Sequence, residues 1–182
     1  MGDRDKQLLP WKDGQSLLRH CILQATGSSA DSVYVVLGHH YECLSRHVAD
    51  LTVGLLHHPD HAQGLGSSLA SGTRQLLQRE SPDRLLVMLA DQPGVTAALI
   101  EAYFAEGDRY PACAVATDYG GCPGVPALFP ATYFAKLTAL TGDSGAGKLL
   151  REPGQDVRLV HALQLLFDID TAEDYHRWRP EA

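Results

Sequence analysis

The stretch RLLVMLADQP, residues Arg84–Pro93, decides the fold. From Leu85 to Ala90 it is apolar without alternation, the pattern of a strand covered by helices on both faces. It stops on Asp91. In open α/β sheets ligands bind beyond the carboxyl ends of the strands, so an acid there points to chemistry, although a plain turn acid fits the same letters. Pro93 and Gly94 end the strand, and Thr96 is placed to cap the helix that follows.

Outward from this stretch, strands and helices alternate. On the N-terminal side, Gln15–Thr26 carries Leu17, Leu18, Cys21, Ile22 and Ala25 at helical spacing, with Gly27 as a C-cap. Val33–Leu37 reads as a buried strand, Tyr41–Ala49 as a helix and Thr52–Leu56 as a short strand. A Gly/Ser-rich turn at Gln63–Ser68 opens a helix to about Gln78. On the C-terminal side, a helix is expected from Thr96 to about Ala105, a strand at Ala112–Ala116, and a loop entering a short strand at Pro123–Phe129. Ala131–Leu140 is patterned as a helix, and Gly142–Gly147 as a turn before a short one. Strands at Val157–Ala162 and Leu165–Ile169 precede a last helix, Ala172–Trp178, capped by Thr171. The alternation predicts one doubly wound, mostly parallel α/β sheet in a single three-layer domain over residues 1–182.

Composition narrows the function classes. The chain is 45% hydrophobic and 20% charged, ordinary for a globular domain, and its 182 residues suffice for one core. A net charge of −7 argues against a nucleic-acid or anionic-membrane surface. No apolar run reaches membrane-spanning length, and the N-terminus has no apolar signal core. The scattered cysteines, Cys21, Cys43, Cys113 and Cys122, read as reduced thiols, making the cytoplasm the expected location.

Several constellations carry possible chemistry. Asp91 and Asp170 both follow apolar strands, and Mg²⁺ bound with a nucleotide takes one or two carboxylates. Alternation places Asp168 and Asp170 on one side of an extended segment, and both also suit a solvated turn. Gly64-Leu65-Gly66-Ser67-Ser68 precedes a helix, where free N–H groups and the helix dipole favour an anion or a base edge. Gly142–Lys148 fits G-x-x-x-x-G-K, but Leu149 stands where a P-loop needs Ser or Thr, and a helix rather than a strand comes before it. His57-His58-Pro59-Asp60-His61 reads as exposed loop histidines, since Pro59 keeps His57 and His61 off one helix face.

Five co-linear motifs then form a pattern. They are Lys6-Gln7-Leu8-Leu9-Pro10, His58-Pro59-Asp60 through Gly64-x-Gly66-Ser67-Ser68-Leu69, Leu89-Ala90-Asp91-Gln92-Pro93, Gly142-Asp143-x-Gly145-Ala146 and Asp168-Ile169-Asp170-Thr171. Together they resemble the molybdenum cofactor cytidylyltransferases and their molybdopterin-guanine dinucleotide synthase cousins, from Met1 to about Tyr175. The resemblance implies a Rossmann-like fold of the nucleotide-diphospho-sugar transferase type. It also implies Mg²⁺-dependent transfer of CMP from CTP to the molybdenum cofactor, molybdopterin, with release of pyrophosphate.

Carried over by position, Lys6 would bind the nucleotide phosphates, and Asp91 and Asp170 would hold the metal. Asp60, Gly64, Gly66, Ser67 and Ser68 would lie near the base or ribose, and Gly124, Pro126, Gly142, Asp143 and Gly145 near the second substrate. A molybdenum hydroxylase would receive the product. The chain departs from the family at Gly147, where Arg is frequent, and at Val125, where His or Asn is common. Relative to the family, the opening strand and the glycine-rich L-A-A-G-x-S-x-R-M-G phosphate loop are expected to be missing, with Met1-Gly2 standing at its M-G. Their loss would expose the edge of Leu85–Ala90. Two further readings follow: transfer to another phosphorylated acceptor, with GTP or toward a sugar phosphate, or a non-catalytic chaperone holding the pterin cofactor.

Overall fold

The computed structural model describes residues 6–162 and 167–178. Its strands are β1 (Tyr34–Leu37), β2 (Gly54–His57), β3 (Arg84–Val87), β4 (Ala114–Asp118), β5 (Pro123–Pro130) and β6 (Val157–Val160). The helices are α1 (Leu17–Thr26), α2 (Tyr41–His47), α3 (Leu65–Leu77), α4 (Ala97–Arg109), α5 (Phe134–Thr138), α6 (Ala146–Leu150) and α7 (Ala172–Trp178). The class is α/β, with β1–β2 and β4–β6 paired in parallel.

Caps fall where the side chains demand them. Ser16 Oγ accepts from Arg19 N at the start of α1, and Thr96 Oγ1 accepts from Leu99 N at the start of α4. Thr171 and Asp174 exchange hydrogen bonds ahead of α7, an arrangement that satisfies two backbone donors.

Two features of the sheet differ from the sequence expectation. First, β5 runs antiparallel to both β3 and β4, and it is eight residues long where a short strand was expected. Prolines at both ends and in its course hide a strand pattern, because proline removes ladder donors. Second, the described strands form two sheets, β1-β2 and β3-β5-β4-β6, where one was expected, and β3 is an edge, as anticipated for Leu85–Ala90. Its residues are half-buried rather than covered on both faces, and the strand ends at Val87 instead of continuing to Ala90. The strand expected at Leu165–Ile169 lies partly outside the described residues, and Phe167–Ile169 is not a strand.

A cleft of about 1100 Å³ runs between β1 and β3. Leu18 and Ile22 of α1 line one wall, and Leu69 and Leu76 of α3 line the opposite one. Glu80 ties the two sheets at one end by accepting from Ser32 and Tyr34, and Ala90 joins Leu37 in one apolar cluster at the other.

Alternation along β4 builds the layers. Ala114 and Ala116 pack with Phe134, Leu137 and Leu149 of α5 and α6, whereas Val115 points the other way, toward Leu99, Ile100 and Tyr103 of α4. A third cluster, Trp11, Leu17, Cys21, Ile169 and Tyr175, fastens the segments before α1 and around α7 to each other. That cluster brings residues distant in sequence to the end of β3.

Candidate active site

Asp91 lies four residues beyond the end of β3, and its backbone carbonyl accepts the N–H of Ile169 at 2.9 Å. Ile169 is fully buried, so the segment around it is held against Asp91–Gln92. With Ile169 turned inward, Asp168 and Asp170 flank it on the opposite side of the chain. Both reach the site. Asp170 Oδ1 accepts from Lys6 Nζ at 3.0 Å, and Asp168 Oδ1 accepts from Gln92 Nε2 at 2.8 Å.

Lys6 Nζ also donates to Asp91 Oδ2 at 2.6 Å, so one ammonium bridges two carboxylates. Burial works against the Lys6 charge, but hydrogen bonds to Asp91 and Asp170 outweigh it and hold its pKa above the ordinary lysine value. Lys6 thus directly contacts two other sequence-predicted residues, 85 and 164 positions away.

The fit of this group to a divalent cation has a specific mark. Asp91 Oδ1 is buried with no hydrogen-bond partner, leaving an anionic oxygen with its lone pairs unused. One counter-cation faces two carboxylates, so the local charge is uncompensated. Oxygen donors in this number and sign suit Mg²⁺ or Mn²⁺, which complete their shells with phosphate and water. Among the described residues no group of three or more His, Cys, Asp or Glu side chains forms a metal cluster, and that includes the histidines around Pro59.

The glycine loop is built differently from the expectation. Gly64 takes φ +100°, a conformation that disfavours other residues, and Gly66, Ser67 and Ser68 already belong to α3. The donors expected to be free for an anion are taken: Gly66 N and Ser67 N reach Gly142 O at 2.8 and 3.3 Å, and Ser68 N reaches Gly64 O. The Gly142–Gly145 loop therefore caps α3 itself, which brings the two predicted binding segments together. Close approach of this kind requires glycine, for a Cβ on Gly66 would lie 2.5 Å from Ser144 O. Gly145 in turn packs near Leu65.

The histidine run is not an exposed loop throughout: His57 is exposed but ends β2, and His61 is half-buried in a short helical turn. His58 is buried, not exposed, and its Nε2 lies 3.1 Å from Ser67 Oγ at the start of α3. Asp60 is exposed, and among the described residues no hydrogen bond or ion pair joins it to the Lys6–Asp91–Asp170 group. The P-loop reading fails on its context, since helix α5 precedes Gly142. Lys148 Nζ turns to Ser144 Oγ at 3.3 Å. The cation beside Gly147 is instead Arg151, which donates to Pro123 O at 3.2 Å.

Gln92 and Tyr119 were missed in the sequence. Gln92 is 2% exposed, and its amide nitrogen is shared between Asp168 and Tyr119 Oη, the latter at 3.2 Å. Tyr119 Oη donates to Val125 O at 2.8 Å, and the Tyr119 ring lies 2.8 Å from where a Cβ on Gly124 would be. The Val125–Pro126 bond is cis, and Pro126 O accepts from Thr117 Oγ1. This network connects the acids to the start of β5, where Gly124 and Pro126 sit. Position next to Asp91 was the one signal for Gln92; Tyr119 carried none.

Comparisons with known proteins bear on the family and the fold. A family profile described as the MobA-like NTP transferase domain matches residues 1–159. The purine catabolism protein PucB of Bacillus subtilis (strain 168) is 30% identical over 119 residues, which make up 64% of this chain and 56% of PucB. The aligned region thus spans little more than half of that relative. The structure of Rv0371c from Mycobacterium tuberculosis H37Rv in complex with manganese is 25% identical with a TM-score of 0.78, covering 96% of this chain and 91% of that one. A nucleotidyl transferase from Methanothermobacter thermautotroptrophicus, Mth528, has a TM-score of 0.80 at 21% identity, over 96% of this chain and 83% of that one, a likeness of fold. With a nucleotidyltransferase fold and a profile match across most of its length, the chain belongs to the MobA-like NTP transferase family.

Proposed function

We propose that the protein transfers CMP from CTP to the molybdenum cofactor, releasing pyrophosphate, with Mg²⁺ as its metal. The observation that carries the proposal is the meeting of Lys6, Asp91 and Asp170 at the carboxyl end of β3. Nucleotidyl transfer needs positioning and relief of negative charge on the leaving pyrophosphate, not a covalent enzyme intermediate. In the reaction a terminal phosphate oxygen of the acceptor bonds to the α-phosphorus of CTP, and the bond from that phosphorus to the β-phosphate oxygen breaks.

In this reading Asp91 and Asp170 hold the metal, which when bound neutralises phosphate charge and orients the α-phosphate. Lys6 supplies a mobile positive charge to the β- and γ-phosphates. Gly64, Gly66, Ser67 and Ser68, with the nearby Asp60, lie along the nucleotide. The Gly142–Gly145 loop and the Gly124–Pro126 segment face the acceptor, with Gln92 and Tyr119 keeping that segment in register with the acids. The likeness to a purine catabolism protein is consistent with a molybdenum hydroxylase that oxidises purines as the recipient.

Asp91→Ala is expected to reduce turnover by at least about a hundredfold, the usual scale for losing one charge-stabilising group at a reacting phosphate. Unchanged turnover would remove Asp91 from the metal site. A competition assay decides the nucleotide: preferential use of CTP supports the proposal, and preferential use of GTP would overturn its base assignment.

A further inference from the structure

Lys6 stands where a divalent cation would stand. Its ammonium touches Asp91 Oδ2 at 2.6 Å and Asp170 Oδ1 at 3.0 Å, the two side chains assigned above to the metal. We propose that Lys6 is a built-in placeholder for the metal, and that entry of a divalent cation between Asp91 and Asp170 expels the Lys6 ammonium toward the triphosphate. The inference rests on the assignment of Asp91 and Asp170 as the metal's ligands.

Charge balance is the first argument. Two carboxylates and one ammonium leave one negative charge, which attracts a divalent cation into the site. With that cation bound between the acids their charge is cancelled, and nothing then holds an ammonium against them. Two cations on the same carboxylate oxygen repel each other, so they exclude one another.

Mobility is the second argument. The backbone around Lys6 is fastened: Leu9 N donates to Lys6 O, Leu17 N donates to Leu9 O, and Pro10 bridges to Ser16. The side chain beyond it is a flexible four-carbon stem that is 31% exposed, so the ammonium can move several ångströms without disturbing the fold. Asp170, at 65% exposed, leaves a route for the incoming ion. Expelled from the acids, the ammonium becomes available as a phosphate counter-charge only after the metal has arrived, which orders the assembly of the site.

There is one competing arrangement. Asp91 Oδ1 has no partner, and a metal that used only this oxygen could leave Lys6 in place. The two arrangements differ in whether metal binding frees the Lys6 ammonium, which the acetylation readout below separates.

The test is Mn²⁺ binding without nucleotide, followed by electron paramagnetic resonance of the free ion, on the wild-type protein, Lys6→Met and Asp91→Asn. Lys6→Met is expected to bind Mn²⁺ at least about tenfold more tightly than wild type, and Asp91→Asn to lose the site. Equal or weaker binding by Lys6→Met, with binding still lost in Asp91→Asn, would overturn the displacement and leave the metal assignment standing. Binding unaffected by Asp91→Asn would overturn both. A second readout uses only the wild-type protein: acetylation of Lys6, followed by mass spectrometry, is expected to rise severalfold when Mn²⁺ is added, and no change would contradict displacement.

Discussion

Gly66→Ala tests whether the Gly142–Gly145 loop is clamped onto α3. Alanine is the better helix former by about 1 kcal/mol in a helix interior, so on local grounds the change should stabilise. Packing opposes it. The new Cβ would lie 2.5 Å from Ser144 O and 2.9 Å from Gly142 O, both backbone atoms without a side-chain torsion to relieve the overlap. Overpacking of this kind costs about 1–3 kcal/mol. Pushing the loop away would also weaken the Gly66 N and Ser67 N hydrogen bonds to Gly142 O, at about 1 kcal/mol for a typical bond.

The opposing contributions sum to a loss of about 2 kcal/mol, or a fall in Tm of about 4–8 °C for a chain of this size. Urea unfolding and a thermal melt measure it, with Gly147→Ala in α6 as the control. There the added Cβ meets only the far end of the flexible Arg151 side chain, at 3.0 Å, so no comparable loss is expected. A Gly66→Ala protein as stable as wild type, or more stable, would refute the clamp.

Three other outcomes follow from named contacts. Arg19 grips both oxygens of Asp50, at 2.6 and 2.8 Å, and holds its carboxyl down to about 2. A depressed folded-state pKa gives stability above the unfolded value of about 4 that disappears as pH falls toward 2, so Asp50→Asn should flatten that acid limb in a pH series of melts. Burial and the nearby Asp91 charge push the Cys21 thiol to about 12, so at pH 8 a thiol reagent should label exposed Cys43 and Cys122 promptly and Cys21 only on unfolding. Tyr119→Phe removes the hydroxyl between Gln92 and Val125 and should cost about 1 kcal/mol in urea unfolding, with a raised KM for the acceptor.

Much of this molecule is legible in its sequence because local chemistry specifies local structure. Thr96 and Thr171 announce their helices, and Leu17, Leu18, Cys21 and Ile22 mark the buried face of α1. Asp91 and Asp170 were found from their positions beyond apolar runs, and the fold brings both to Lys6.

What escaped reading is non-local. No pattern within Pro123–Pro130 says that this segment pairs antiparallel with two strands, since pairing direction depends on the chain's return path. The half-buried state of β3 reflects what lies beside it across the cleft, and its own residues do not encode that. The glycines of α3 were read as an anion cradle because glycine permits close approach, but which atoms approach is decided by tertiary structure: here it is the Gly142 carbonyl. His58 was read as exposed because it sits among polar neighbours, whereas its partner Ser67 lies on the following helix.

The central claim is nucleotidyl transfer governed by Lys6, Asp91 and Asp170. It is tested most directly by incubating the protein with α-³²P-labelled CTP, Mg²⁺ and molybdenum cofactor, and following both pyrophosphate release and the label. The account predicts pyrophosphate formed in step with labelled dinucleotide cofactor, and loss of both in Asp91→Ala. Pyrophosphate and label transfer that persist in Asp91→Ala, or a wild-type protein that transfers no label, would contradict it.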